Sequence, residues 1–207
     1  MPEILSYIAL SMGVAWASGI NLYAAILVLG LLGTTGSMPL PEALQTLQHP
    51  LVIGVAGLMY CIEFFADKIP GVDSAWDTLH TFIRVPAGAV LAATAVAQVD
   101  PSLALAAALV GGGLTAGTHL TKASTRLLVN TSPEPFSNIG ISLAEDTIAI
   151  GGLWAALHYP VLFLIFLAVF LILMIWLLPA LYRGIRGIYD RLRRIFRLKE
   201  PGHLPEQ

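Results

Sequence analysis

Apolar residues fall into long runs separated by short breaks rich in Pro, Gly and polar side chains. Dividing the chain at those breaks predicts six helical spans, at about 4–33, 50–66, 78–98, 102–123, 138–157 and 160–181. The runs reach the ~20 residues that a helix needs to cross a bilayer. The last, PVLFLIFLAVFLILMIWLLP, is bulky and apolar on every face, as a peripheral helix against lipid should be. The first is too long for a straight crossing: at 1.5 Å per residue it would extend about 45 Å against a hydrocarbon core of about 30 Å. It must tilt or break, and Ala17-Ser18-Gly19-Ile20-Asn21 offers a break. Broken helices at membrane depth persist where they line a cavity or a binding site.

Composition agrees with a membrane-embedded chain. Of 207 residues 57% are hydrophobic and only 12% charged, and the mean hydropathy of +0.78 lies well above that of soluble domains. The first apolar stretch has no basic residue ahead of it and continues to Gly33, which predicts a retained span rather than a cleaved signal. The single cysteine, Cys61, allows no internal disulfide or multi-cysteine metal site and reads as a small apolar filler.

Charge position carries more than net charge. Threading six spans from a cytoplasmic N-terminus puts the turns near 67–77 and 124–137, and the tail from Arg183, on one side. All eleven basic residues then fall on or near that side (Lys68, Arg84, Lys122, Arg126, Arg183, Arg186, Arg191, Arg193, Arg194, Arg197 and Lys199). The positive-inside rule makes it cytoplasmic. The sequence therefore predicts an all-α, polytopic membrane helical bundle of about six transmembrane helices with both termini cytoplasmic. Residues 1–181 would form the transmembrane domain, 182–199 a basic amphipathic helix on anionic lipid, and 200–207 a disordered tail. The segments 50–98 and 102–157 read as two parallel copies of one helical hairpin, each with a proline-containing polar cytoplasmic turn. Gly113 and Gly117, at GxxxG spacing, and Pro86-Ala87-Gly88 are expected to permit close helix contact.

The chemistry concentrates in EFFADKIPGVDSAWDTLHTFIR, residues 63–84. Glu63 and Asp67 share a helix face four residues apart, and Asp73 and Asp77 repeat the spacing, with Asp73 or Ser74 as expected N-cap. Placed at a cytoplasmic turn, this charge is expected to meet water. The four carboxylates could bind a divalent cation, which prefers oxygen ligands. Alternatively Lys68, His80 and Arg84 neutralise them in a structural ion-pair network. His119, Lys122 and Arg126 form a basic face on the second hairpin, so the two hairpins should touch. Glu145 and Asp146 lie deep in the fifth span, where an unpaired charge is costly and by default functional, and only one of them can comfortably face a given partner.

No metalloprotease, P-loop, nucleophile-elbow or dinucleotide fingerprint occurs, which points away from an enzyme. The leading expectation is a small transporter or channel-like protein moving a small solute or ion. Glu63, Asp67, Asp73, Asp77, Glu145 and Asp146 would bind or relay cations or protons, with Asn21 at the broken span and Arg84, His119, Lys122 and Arg126 as counter-charges. A lipid-headgroup enzyme or lipid-handling protein, and a scaffold without ligand, remain the alternatives. No cofactor beyond a divalent cation is implied. The expected partners are membrane lipids, the solute or ion and further copies of the chain in a homo-oligomer, with no role for nucleic acid.

SGINLYAAILVLGLLG followed by EFFADKIPGVDSAWDTLHTFIRVPAGA resembles a bacterial membrane family described as domain of unknown function 4126. The resemblance implies a multi-pass protein of the bacterial inner membrane and assigns no activity. EFFADK is also similar to the Glu-x-Gly-Asp-Lys-Thr motif of a family of cation exchangers, although Asp67 stands four rather than three residues from Glu63 and the glycine and threonine are absent.

Overall fold

The computed structural model describes residues 2–69, 71–130 and 135–197. Its elements are α1 (Pro2–Thr34), a 3-10 segment (Glu42–Gln48), α2 (Pro50–Ala66), α3 (Val72–Val96), α4 (Pro101–Val129), α5 (Pro135–His158) and α6 (Pro160–Arg197), with no strand among the described residues. Five of these helices are long and apolar enough to cross a membrane, and α2 joined to the 3-10 segment at 66° would make a sixth. The protein is an all-α, multi-pass membrane protein.

The helices start where the local chemistry dictates. Pro50 and Pro101 open α2 and α4, where a missing N–H costs nothing. Asp100 caps α4, its Oδ1 accepting from the N–H groups of Ser102 (2.7 Å) and Leu103 (3.1 Å). The Ser102 hydroxyl bonds the same oxygen, and these donors hold the Asp100 carboxyl below its usual range. Before α3, Gly71 takes φ 87°, a conformation open to glycine. Helix α3 therefore starts at Val72, earlier than expected, and Asp73 lies in its first turn rather than at the N-cap.

Helix α1 is the core of the bundle. Ala9, Val14, Ala15, Trp16, Leu22 and Leu29 are buried, and α3, α4 and α5 all pack on it. Small residues allow the approach: a Cβ on Gly19 would lie 2.6 Å from the Thr115 carbonyl oxygen and 2.7 Å from Thr118 Cβ. Trp16 is surrounded edge-on by Phe163, Phe166 and Phe170 of α6, at centroid distances of 5.4–6.0 Å, an arrangement worth about 0.5–1.5 kcal/mol per pair. The other faces of α6 are exposed, with Ile172, Ile175 and Trp176 all outward, as a lipid-facing helix requires.

At Asn21 the backbone leaves the helical region (φ −149°, ψ 99°), dividing α1 into two limbs. The first limb runs alongside α5, where Gly13 meets Ala156, Gly152 meets the Trp16 ring, and Asn21 meets Asp146. The second runs back along α2, with Gly57 near Leu27 and Ile53 near Gly30. Its end returns to the face from which α1 set out. Gly33 abuts Leu40, and Met38–Glu42 share a cleft with Glu3, Ser6, Tyr7 and Leu10. Gln98 ties the same face together, donating to Tyr7 Oη at 2.8 Å and accepting from the Glu42 N–H at 3.1 Å.

The fold-back bears on the expected topology. The first turn of α1 lies with residues 38–42, 98 and 156–157, whereas Gly184 of α6 lies at the other end of the bundle, against Leu128. The first turn of α1 and this part of α6 therefore do not share one end. The reason is length: 33 residues are enough for two limbs, and the break reverses the direction. With Cys61 replaced by serine, cysteines introduced at Glu3 and Asp100 are expected to react with an impermeant maleimide from one side of sealed vesicles. A cysteine at Arg186 should react from the other. Opposite labelling of positions 3 and 100 would remove the fold-back.

Other expectations shift. The close α3–α4 seam uses Gly88 and Gly111, whose added Cβ atoms would collide with Thr115 and Ala92. Gly113 faces open space and Gly117 faces Met174 of α6, so the GxxxG pair does not make this seam. Helix α6 runs without interruption from Pro160 to Arg197. The tail at 200–207 and the turn at 131–134 lie outside the described residues.

Candidate functional site

The break in α1 leaves the Ile20 carbonyl without an intrahelical partner, and two cations satisfy it. Arg84 Nη1 donates to it at 3.2 Å and Lys122 Nζ at 3.1 Å. Both attract carboxylates. Arg84 Nη2 donates to Glu63 Oε1 at 2.6 Å, and its Nη1 lies 3.2 Å from Asp77 Oδ1. Lys122 Nζ donates to Asp67 Oδ2 at 2.8 Å, with Glu63 at 3.6 Å and Asp77 at 3.7 Å. On the far side of the break, Asn21 Oδ1 accepts from the Ala24 N–H at 2.9 Å, capping the second limb, while its Nδ2 donates to Asp146 Oδ1 at 3.0 Å. One asparagine therefore turns the chain and holds the deep carboxylate.

Arg126 forms the second branch. Its Nε and Nη2 grip Glu145 in a fork, at 3.1 Å and 2.5 Å to Oε2, and its Nη1 donates to the Asp67 carbonyl and to Asn138 Oδ1, both at 2.7 Å. Asp73 lies 3.8 Å from Arg126 and is otherwise absorbed by the turn. It accepts from the N–H groups of Gly71 (2.9 Å) and Ser74 (2.6 Å) and from Asn130 Nδ2 (2.8 Å). The two hairpins thus meet through Glu63, Asp67 and Asp73 on one and Lys122 and Arg126 on the other. Glu145 and Asp146, adjacent in sequence, turn to different partners.

Four assignments change. The cluster does not meet water: Glu63, Asp73, Arg84 and Arg126 are 0% exposed, because the two hairpins bury these charges against one another. Lys68 neutralises none of these carboxylates; its Nζ donates to the Phe64 carbonyl (2.8 Å) and lies 2.9 Å from the Phe64 ring centroid, and burial lowers its pKa. His80 lies between the Trp76 carbonyl (2.9 Å) and Tyr23 Oη (3.1 Å), away from the acids. His119 adds no charge to the basic face. Arg84 has only protons to donate, so its Nη1 at 3.2 Å makes His119 Nδ1 the acceptor. Nε2 then carries the proton toward Thr81 Oγ1 at 2.8 Å and the Asp77 carbonyl at 3.1 Å.

With His119 accepting from Arg84, the cluster sets six carboxylates against three cations, Arg84, Lys122 and Arg126. Asp146 has no basic group within 4 Å among the described residues. Glu63 Oε2, Asp67 Oδ1, both Asp77 oxygens and Asp146 Oδ2 are buried without a hydrogen-bond partner from the protein. Excess buried negative charge is held by taking up protons or cations, since like charges in low dielectric cannot all ionise. Among the described residues no three acidic, histidine or cysteine side chains are grouped to hold a metal ion. The four carboxylates considered as metal ligands, Glu63, Asp67, Asp73 and Asp77, are instead each within 4 Å of a guanidinium or ammonium.

Several participants were not singled out from the sequence. Asn130 ends α4 opposite Asp73, Asn138 positions Arg126, and Tyr23 and Thr81 hold the two histidines. Their types are unremarkable in a membrane helix; a polar residue one or two turns from a charged one was the available signal.

A family model described as "Domain of unknown function (DUF4126)" matches residues 8–180, which spans both limbs of α1 and every residue of the charge cluster. No curated protein and no solved structure matches the chain. The chain belongs to the DUF4126 family.

Proposed function

We propose that this protein is a small membrane transporter that binds a cation or protons at the break in α1. One observation carries the reading: a helix is interrupted inside the bundle, and its open ends face a buried cluster in which carboxylates outnumber cations. Such interruptions are how transporter folds present backbone dipoles to ions and substrates. Asp146, bonded to the residue at the break and unpaired with a base, is the proposed carrier group. In this reading the face holding Lys68 and Gly184 of α6 is cytoplasmic and the first turn of α1 lies on the other side, which the positions of the basic residues support. A homo-oligomer in the bacterial inner membrane belongs to the same proposal.

A scaffold is the second reading, because five of the six carboxylates lie within 4 Å of a basic group. Headgroup catalysis has less support, since the donors around Asp73 leave it little freedom. Flux separates the readings. Proteoliposomes with an entrapped pH indicator, given a proton, sodium or potassium gradient with the potential clamped, are expected to relax faster than protein-free vesicles. Asp146→Asn should return the rate to background while the protein still purifies as a folded species. Relaxation at the protein-free rate under every gradient, or an unchanged rate in Asp146→Asn, would sink the carrier and leave the scaffold.

A further inference from the structure

Helices α4 and α5 meet only marginally, and a cavity of about 420 Å³ opens between them under α6. Ligand pockets run from about 300 to 1,000 Å³, so the space is of ligand size. Its wall is apolar and aromatic, with Trp16, Phe166 and Phe170 on one side and Ile148 on the other. Lys122 and Glu145 are its only charged lining residues among those described, and the two are not equally available. Lys122 is 3% exposed and bonded to Asp67 and the Ile20 carbonyl. The Glu145 side chain is 16% exposed, more than any other acid in the salt-bridge network. Thr118, which also lines the cavity, is buried with a hydroxyl that has no partner.

We infer that this cavity binds a lipophilic cation entering sideways from the bilayer, an inference that rests on the transporter reading and names its substrate class. Three features select such a ligand. The mouth opens among residues that face lipid: Ile148 is half exposed and Phe166 partly so. The walls accept an apolar body, and aromatic faces attract a delocalised cation, tryptophan most strongly. At the inner end stands Glu145, which is held by Arg126 but keeps 16% of its side chain exposed, while Lys122 is covered by Asp67 and the Ile20 carbonyl. The carboxylate is thus the more accessible of the two charges, which favours a cation over an anion.

Tetraphenylphosphonium and tetraphenylborate have nearly the same shape and opposite charge, so together they read the charge selectivity. The full-length protein in detergent is expected to bind radiolabelled tetraphenylphosphonium saturably, and tetraphenylborate at least tenfold more weakly. Ile148→Trp fills the cavity from a half-exposed position without touching a charge, and should weaken tetraphenylphosphonium at least tenfold. Glu145→Gln should do the same where it folds. Absence of saturable binding, equal binding of the two ions, or an Ile148→Trp protein that binds like wild type would each overturn the assignment. If Asp146→Asn abolishes ion flux while tetraphenylphosphonium fails to bind, the lipophilic-cation site falls and the carrier stands. Binding without any flux removes the carrier and keeps the cavity.

Discussion

Replacing Arg84 with methionine is expected to destabilise the protein by about 3–5 kcal/mol, the usual cost of breaking a buried ion pair from one side. Arg84 is fully buried and holds three helices at once, through the Ile20 carbonyl of α1, Glu63 of α2 and His119 of α4. Methionine matches much of its volume but leaves Glu63 and Asp77 to Lys122 alone, at 3.6 Å and 3.7 Å. The loss is therefore mainly of charge compensation, with little cavity formation. Thermal unfolding in detergent, calibrated by denaturant titration, measures it. Two further variants test the cause. Arg84→Lys should recover only part of the loss, because an ammonium cannot reproduce the fork that reaches Glu63 and the Ile20 carbonyl together. Arg84→Met combined with Glu63→Gln should be more stable than the sum of the single effects, since the carboxylate left stranded by the first change is neutralised by the second. A cost below about 1 kcal/mol for Arg84→Met, or strict additivity in the pair, would show that the cluster is not an electrostatic unit.

What could be read from the sequence follows from what hydropathy measures. Helix α2 matches its expected bounds because apolar residues fill it to the end. Helix α3 starts six residues before its expected bound and α4 ends six residues after its own, since a hydropathy window stops near Asp77 or Lys122 while the backbone continues. The continuation is stable because those charges are buried against one another, a pairing that no window along a single chain can register. The break at Asn21 was legible from Ser18, Gly19 and Asn21, but its direction was not. One extended residue can bend a helix or reverse it, and the choice is made by distant partners: Arg84 and Lys122 on the Ile20 carbonyl, Asp146 on Asn21.

The basic-residue argument was insensitive to that reversal for a simple reason. Helix α1 contains no Lys or Arg, and the first basic residue of the chain is Lys68. Whether α1 crosses once or doubles back, the basic residues keep the same expected side, so their asymmetry says nothing about the first turn of α1. The candidate residues themselves were largely visible, because charge in an apolar chain stands out. Their burial was not: a run such as EFFADKIPGVDSAWD reads as a solvated turn until α4 and α5 are folded over it.

Asn21→Ala is expected to cost about 2–4 kcal/mol, the sum of a lost N-cap and a buried carboxylate left without its donor. The side chain does two jobs with different atoms. Oδ1 accepts from the Ala24 N–H and starts the second limb, and Nδ2 donates to Asp146. Asn21→Ser separates them. A serine hydroxyl can still cap Ala24 but is too short to reach Asp146, so it should recover about 1 kcal/mol of stability relative to alanine. In proteoliposomes both variants should lose flux, because each frees Asp146 from the break, whereas stability should distinguish them. Labelling at Glu3 should stay on the Asp100 side in both, since the limbs are also held by Gly13, Gly19 and Gly30 against their neighbours. Equal destabilisation by alanine and serine would mean that the cap contributes nothing. Wild-type flux in the serine variant would mean that Asp146 works without Asn21, and the break would then be a device of folding alone.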